Sequence, residues 1–410
     1  MKKQIILIRR LVFFLLLCCL LFAFHAKAEA ATWNMQKTYK QVKSGVTYRT
    51  YLSKDKKEAW IYNISLPSKS VPSLKFPGKI KGAVVTRIGD VSTDEDDGTF
   101  SIISNHYSQF SGRRPTDIRE IVLPDSTEDI IAGCFKDFHV LETINIPSKV
   151  KEIKGGVFSG CTKLVNLDFS DGKYEINKYA FGCFEEELYS CEAQEGIEEF
   201  RNLAGRIVYC KAGVLLSENK KEVLWVCNDN ASIEIPRGVK TIKEKAAMGC
   251  KAKTVSIPAS VTSIERNAFT MKKAAKFTIA KSNKHYAVKN NCVYSKKSKR
   301  LVVGVVEKGV LSVPSTVKVL KVNSSLAGGK VKKLLLPKSV KKLEACWFDE
   351  GNYGSSGTKV YFKSATPPNS GENTVPMYTR IYVPKKSVKK YKRWLQKDTD
   401  AKRYSKVIGY

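Results

Sequence analysis

The chain has 410 residues, 71 Lys and Arg against 39 Asp and Glu, a formal net charge of +32 and 43% hydrophobic residues. That apolar content supports a packed core and excludes a disordered polycation, while the charge favours solubility and attraction to anionic polymers without bearing on fold. Eleven cysteines without paired CxxC spacing exclude a zinc ribbon or a regular disulfide framework.

Residues 1–30 read as an export signal: Lys2, Lys3, Arg9 and Arg10 precede an apolar run over 11–24, and Ala26-Lys27-Ala28 or Ala28-Glu29-Ala30 offers a small-residue cleavage site. The run is short for a spanning helix, and no later stretch is apolar enough to cross a bilayer. The expected product is therefore extracellular, released or held at the cell surface non-covalently, with no transmembrane segment once the signal is removed. Five basic residues and one acidic residue fall in the signal, so the remainder carries +28. In an exported chain that charge points to wall polyanions, acidic glycans or anionic lipid surfaces, and nucleic acid is not expected.

Residues 31–117 read as an N-terminal cap. Residues 46–51 alternate in strand fashion, 59–65 repeat the pattern after a Lys-Asp-Lys-Lys turn, and 74–77 with 84–89 complete an irregular first coil. The acidic run Asp94–Gly98 lacks the alternating carboxylates and later Glu of a calcium loop, and reads as part of an inserted surface loop over 90–117.

From residue 118 a motif recurs. Pro124, Pro147, Pro236, Pro258, Pro314 and Pro337 each have an aliphatic residue six positions on: Ile130, Ile153, Ile242, Ile264, Leu320 and Leu343. Five positions later stand Phe135, Phe158, Ala247, Phe269, Ser325 and Phe348. A further copy has Ser170 for the proline and keeps Ile176 and Phe181. Adjacent copies are 22 or 23 residues apart, the period of a solenoid whose coils bury their apolar faces only by stacking. In one coil, Ile144 and Ile146 point inward and Asn145 outward, Pro147 stops the strand because it has no amide, and Phe158 fills the corner. Equivalent strands of successive coils must then lie parallel.

Coils are expected over 118–190. Over 191–350 a hairpin-bearing spacer plus two coils is duplicated as a unit: the hairpin at 215–224 resembles that at 293–302, 78 residues on, and Pro236 and Pro314 are also 78 apart. Residues 351–410 form a C-terminal cap, with strand-like pieces near 360 and 381 and a basic helix that Ser387 caps and that ends at Leu395. The rival for that helix is a membrane-surface segment.

The Ile-x-Ile-Pro…Val-x-x-Ile…Ala-Phe-x-Gly-Cys-x-x-Leu coil, clearest over 144–164 and 255–269, resembles the BspA-type leucine-rich repeat of secreted bacterial surface proteins. The opening segment 79–89, the spacer hairpins and the closing segment 381–391 resemble that family too. The resemblance implies a leucine-rich-repeat solenoid, mainly β with stacked parallel short strands, short helical or 3-10 turns, spacer hairpins and a C-terminal helix. It implies adhesion to host matrix proteins or glycans, or to other bacteria, supplies no catalytic residues and suggests a Gram-positive source. Wall association through anionic wall polymers is the alternative.

No catalytic set is legible: no HExxH, no Gly-x-Ser-x-Gly and no phosphate-cradling glycine loop occur, and no cofactor or metal is expected. After the signal only His106, His139 and His285 remain, with His139 near Cys134 and His285 near Cys292 in sequence. Of the nine remaining cysteines, Cys161 and Cys250 share a coil position and read as buried packing thiols, while Cys183 with Cys191, or Cys210 with Cys227, are near enough to pair. The one candidate binding feature is a stripe. Lys151, Lys240, Lys318 and Lys341 occupy the same outward coil position, four after each proline, with Thr262 interrupting the series. Stacking would align them for a polyanion or leave them simply solvated.

Overall fold

A computed structural model describes residues 32–67, 69–89, 117–182, 203–227, 231–320, 324–344, 358–370, 379–397 and 401–410. The export signal, the acidic run at 94–98, Cys183, Cys191, Cys346, His106 and Phe348 lie outside the described residues. The chain divides into two compact units, residues 1–165 with 175–205, and residues 166–174 with 206–410.

Each unit is a stack of short parallel strands. In the first, Ser73–Lys75, Glu120–Val122 and Thr143–Ile146 pair in parallel, with Leu74, Ile121 and Ile144 in register and buried. In the second, Ser232–Glu234, Thr254–Ile257 and Lys276–Ile279 do the same around Ile233, Val255 and Phe277. A longer ladder follows: Val310–Ser312, Lys333–Leu336, Lys359–Phe362, Arg380–Val383 and Lys406–Gly409 are five neighbouring parallel strands.

The repeat prolines behave alike in every coil. The carbonyl of each accepts the amide three residues on, from Thr127 (2.9 Å), Val150 (3.1 Å), Val239 (3.3 Å), Val261 (3.4 Å), Val317 (3.0 Å) and Val340 (3.2 Å), and all six of those residues are buried. The proline ends the strand, the turn reverses the side-chain alternation, and the next buried residue anchors the following rung. Corners are built from successive i to i+3 turns and tied rung to rung: the Phe135 amide donates to the Val157 carbonyl and the Phe158 amide to the Ala180 carbonyl. Phe135, Phe158 and Phe181 stack inside the first unit with ring centroids 6.1 and 5.8 Å apart and planes within 16°. Gly160 at one such corner has φ +73, and a Cβ there would fall 2.9 Å from the Asp137 Cα, so the tight approach of neighbouring corners needs glycine.

The two departures from the corner phenylalanine differ in kind. Ala247 keeps the ladder, its amide donating to the Ala268 carbonyl. Ser325 extends it in another way, because its hydroxyl accepts the Phe269 amide at 3.0 Å across a separation of 56 residues. The coil at Phe269 is followed in sequence by a spacer, and the residues after it supply the missing partners. Asn283 Nδ2 donates to the Pro258 and Val261 carbonyls, the Tyr286 hydroxyl accepts the Ile264 amide, and the Asn291 side chain serves the Phe277 amide and the Ala275 carbonyl. Asn145, expected merely to face outward, has the same duty in the first unit, bonding both the amide and the carbonyl of Leu123.

The duplicated spacers are three-stranded antiparallel meanders, Arg206–Lys211, Val214–Ser217, Glu222–Val226 and Tyr286–Lys289, Cys292–Ser295, Leu301–Glu307. Both carry a register shift at the same place, between Leu215 and Leu216 and between Val293 and Tyr294. The strands expected over 46–51 and 59–65 form and, joined by Tyr39–Lys43, make a third meander, Tyr39–Lys43, Val46–Leu52 and Glu58–Ser65. Its first turn, Ser44-Gly45, has positive φ at both residues, as do Ala212-Gly213 and Asn290-Asn291, the requirement of a type I′ hairpin. Its second turn repeats the spacer's chemistry: Ser53 Oγ accepts the Glu58 amide and Asp55 the Lys57 amide, as Ser217 and Asn219 do for Glu222 and Lys221.

At the C-terminus the expected helix forms over Val388–Leu395, with Tyr391 and Leu395 buried and Tyr391 packed on Phe362 at 5.0 Å. Its apolar face is thus occupied by the protein core. Ser387 stands at the N-cap position without a side-chain cap bond; it belongs to a 3-10 turn, and its amide donates to the Pro384 carbonyl. That turn already bends the chain into the helix, so the hydroxyl is not needed.

Three outcomes follow from this packing. The Thr127 hydroxyl is buried without a partner where the other five coils carry Val, so Thr127→Val should raise urea-unfolding stability by about 1 kcal/mol; a loss would show that the hydroxyl is satisfied. Phe158→Ala removes the middle ring of the aromatic stack and should cost about 3–5 kcal/mol in the same assay, and a cost far below that would mean the stack is not a stabilising element. Burial pushes the Tyr48 phenol up to about 12 and raises those of Tyr174 and Tyr391 as well. A raised folded pKa stabilises the fold below about pH 10, the unfolded value, and that contribution fades as pH climbs toward the folded one. Tyrosinate absorbance should therefore show these three rings ionising only with alkaline unfolding; early titration of all tyrosines near pH 10 would contradict it.

Candidate functional site

Parallel in-register stacking places the same outward position of successive rungs side by side, about 4.8 Å apart. Lys151, Lys240, Lys318 and Lys341 are all exposed. Lys318 and Lys341 are neighbours: the Lys341 amide donates to the Lys318 carbonyl and the Lys318 amide to that of Lys299, both at 2.8 Å, making three lysines on consecutive rungs before Asn369 ends the row. Lys240 is not next to them and lies between Lys221 and Thr262. Lys151 belongs to the first unit, where the next rung is Glu175 and its ammonium group donates to the Ser148 carbonyl at 2.8 Å.

Several outward charges are matched across rungs. Lys149 pairs with Glu128 at 2.7 Å, Arg119 with Glu142 at 2.6 Å, Lys243 with Glu265 at 2.9 Å and Arg266 with Glu244 at 2.6 Å. Exposed pairs of this kind contribute a few tenths to about 1 kcal/mol each, while at other positions like charges share neighbouring rungs, as Glu152 does with Glu175 and Lys253 with Lys276.

The five-stranded C-terminal ladder carries a row of one sign longer than that of Lys299, Lys318 and Lys341. Lys333, Lys359, Arg380 and Lys406 are partners of one another on four consecutive strands, and among the described residues none is in an ion pair. Two residues further along the same outward face, Leu335, Tyr361, Tyr382 and Ile408 are in register. Tyr361 and Tyr382 stack at 4.4 Å with planes 7° apart, and the Lys333 ammonium lies over the Tyr361 ring at 4.8 Å. Two full charges at strand spacing repel by up to about 1 kcal/mol in water, so this arrangement carries a cost that the paired rows avoid. The sequence reading missed it. The signal is present in Lys-Val-Tyr-Phe (359–362) and Arg-Ile-Tyr-Val (380–383), two copies of a cation-aliphatic-Tyr-apolar strand.

Among the described residues the thiols and imidazoles do not assemble into a reactive site. His139 Nδ1 is bonded to the Gly160 carbonyl at 2.9 Å, and Cys292 Sγ faces the Ser312 carbonyl at 3.7 Å. Cys161 and Cys250 are both fully buried, with Cys161 Sγ donating to the Phe135 carbonyl at 3.1 Å, and burial pushes the Cys161 thiol up. Burial likewise lifts Cys292 to about 11, so neither carries the thiolate that nucleophilic chemistry needs. Cys210 and Cys227 are brought together as free thiols that donate to the Phe169 and Leu167 carbonyls, and the contact with Cys210, reinforced by burial, raises Cys227 well above the usual thiol range. Among the described residues no group of His, Cys, Asp and Glu is arranged to hold a metal ion, and no helix is long and apolar enough to cross a membrane.

Comparison with known proteins bears on the family. No curated protein matches this chain. Among solved structures, a leucine rich cell surface protein from Faecalibacterium prausnitzii is 14% identical, covering 91% of this chain and 96% of that one with a TM-score of 0.33. A leucine-rich repeat protein from Eubacterium ventriosum is 15% identical over 91% of this chain and 78% of that one, TM-score 0.35, and the pneumococcal vaccine antigen PcpA 13% identical over 91% and 98%, TM-score 0.24. The BspA type leucine rich repeat region matches in six copies over residues 108–204 and 220–353, more than half of the chain. With its periodic prolines, parallel rungs and stacked corner phenylalanines, this chain belongs to the BspA-type leucine-rich-repeat family.

Proposed function

We propose that this protein is a secreted bacterial surface adhesin that binds host matrix proteins or glycans through the outward faces of its stacked strands, without catalysis. Leucine-rich-repeat solenoids generally serve as binding or scaffold folds, and long regular faces suit them to extended ligands. The observation that carries the reading is the in-register row of outward cations that no carboxylate answers among the described residues. Rows of aligned charge engage a repeating ligand at several points at once, which multiplies weak contacts into useful avidity. The cell-surface description of the Faecalibacterium protein is consistent with an extracellular setting. A second reading, a structural module held on anionic wall polymers, is favoured by the net charge of +28 that remains after residues 1–30.

Fractionation and binding separate the two. Under the adhesin reading the protein binds immobilised matrix proteins or glycans, and binding falls steeply as ionic strength rises from about 0.1 to 1 M, where the screening length shrinks from ~10 to ~3 Å. The paired variant Lys359→Glu/Lys406→Glu, in the row that carries the reading, should weaken it further. Protein that binds none of these ligands yet sediments with cell walls and is stripped by salt would replace adhesion with wall retention.

A further inference from the structure

We propose that the outward face of the C-terminal ladder, centred on Lys359, Arg380, Tyr361 and Tyr382, binds an acidic polysaccharide. The inference rests on the adhesin reading and names its surface and ligand class. Four cations stand on consecutive strands at about 4.8 Å spacing, a pitch that meets carboxylates or sulfates repeated along an extended chain. At other rungs an outward cation is answered by a carboxylate of the neighbouring coil, as in Lys243 with Glu265 and Arg266 with Glu244. A row left unneutralised beside paired rows is what a site awaiting an external anion requires.

The tyrosines select among polyanions. Proteins that hold single-stranded nucleic acid offer free aromatic faces to the bases. Here both faces of Tyr361 are taken, one by Lys333 and the other by Tyr382, so no base can stack on it. What the pair presents instead is ring edges and two phenol hydroxyls that bond to no described residue, each able to donate and accept. Such a strip suits a hydroxyl-rich chain: the phenols take sugar hydroxyls while the flanking cations take the acidic groups. A polyol phosphate would use the cations and gain less from the phenols.

The full-length protein is titrated with polygalacturonate, heparin, oligo(dT) and neutral dextran, and thermal unfolding is followed in parallel. The wild type should bind polygalacturonate and heparin, bind oligo(dT) less tightly and ignore dextran. Lys359→Glu/Lys406→Glu turns the row into alternating charge; it should lower affinity for the acidic glycans at least about tenfold while leaving Tm unchanged or higher, because repulsion is relieved. Lys318→Glu/Lys341→Glu removes the same charge from another edge and should weaken glycan binding far less, which separates this face from bulk electrostatics. Tyr361→Phe/Tyr382→Phe keeps the stack and should lower affinity about threefold without altering the salt dependence. The proposal falls if the alternating variant binds as well as wild type, if both charge variants weaken equally, if the Phe variant binds the glycans unchanged, or if oligo(dT) binds more tightly than polygalacturonate. It also falls if the wild type binds no acidic glycan, an outcome that leaves adhesion standing wherever matrix proteins are still bound.

Discussion

The edge of a short strand cannot be left bare. Each coil here contributes only two to five residues to a given ladder, too few to close its own backbone bonds, so every amide and carbonyl along it needs a partner from the coil before or after. Periodicity, parallel pairing and core composition all descend from that need. Successive coils must match in length to keep donors opposite acceptors, and a matched length places like residues on like residues. Inside, this produces the column of Phe135, Phe158 and Phe181; outside, it produces rows.

The rows are where the fold meets its surroundings. In some of them acid and base pair between rungs, which adds a little stability. The C-terminal ladder has the same backbone and different electrostatics, with bare cations beside a tyrosine pair in which both faces of Tyr361 are already covered. Two physical effects set such a surface apart from an ordinary solvated face: the repulsion within the row, and the two phenol groups with no partner among the described residues. The described cysteines are buried, and the His139 imidazole is bonded to the Gly160 carbonyl.

The coil was legible in the sequence because its elements are invariant in spacing: a proline that must stop a strand, an aliphatic residue that must anchor the next, a ring that must fill the corner. Parallel stacking followed from those three. The N-terminal meander was less visible, since Ser53-Lys54-Asp55-Lys56-Lys57-Glu58 matches Ser217-Glu218-Asn219-Lys220-Lys221-Glu222 only through side-chain bonds that period counting does not weigh. The cation ladder was hidden for a different reason. Its strands begin 26, 21 and 26 residues apart, so connections of unequal length conceal an alignment that is regular in space. The lysines at the fixed coil offset, by contrast, were easy to see, but only Lys318 and Lys341 share neighbouring rungs.

Ser325 shows how such a protein can change without unravelling. By accepting the amide of Phe269 from 56 residues away, its hydroxyl splices two windings that the gene separates, and the side chains of Asn283, Tyr286 and Asn291 seal the remaining seams. An inserted meander therefore needs only a handful of polar substitutions at its borders to be accommodated. Lineages of such proteins are free to gain and shed whole blocks, lengthening or shortening the outer display while the joinery stays intact.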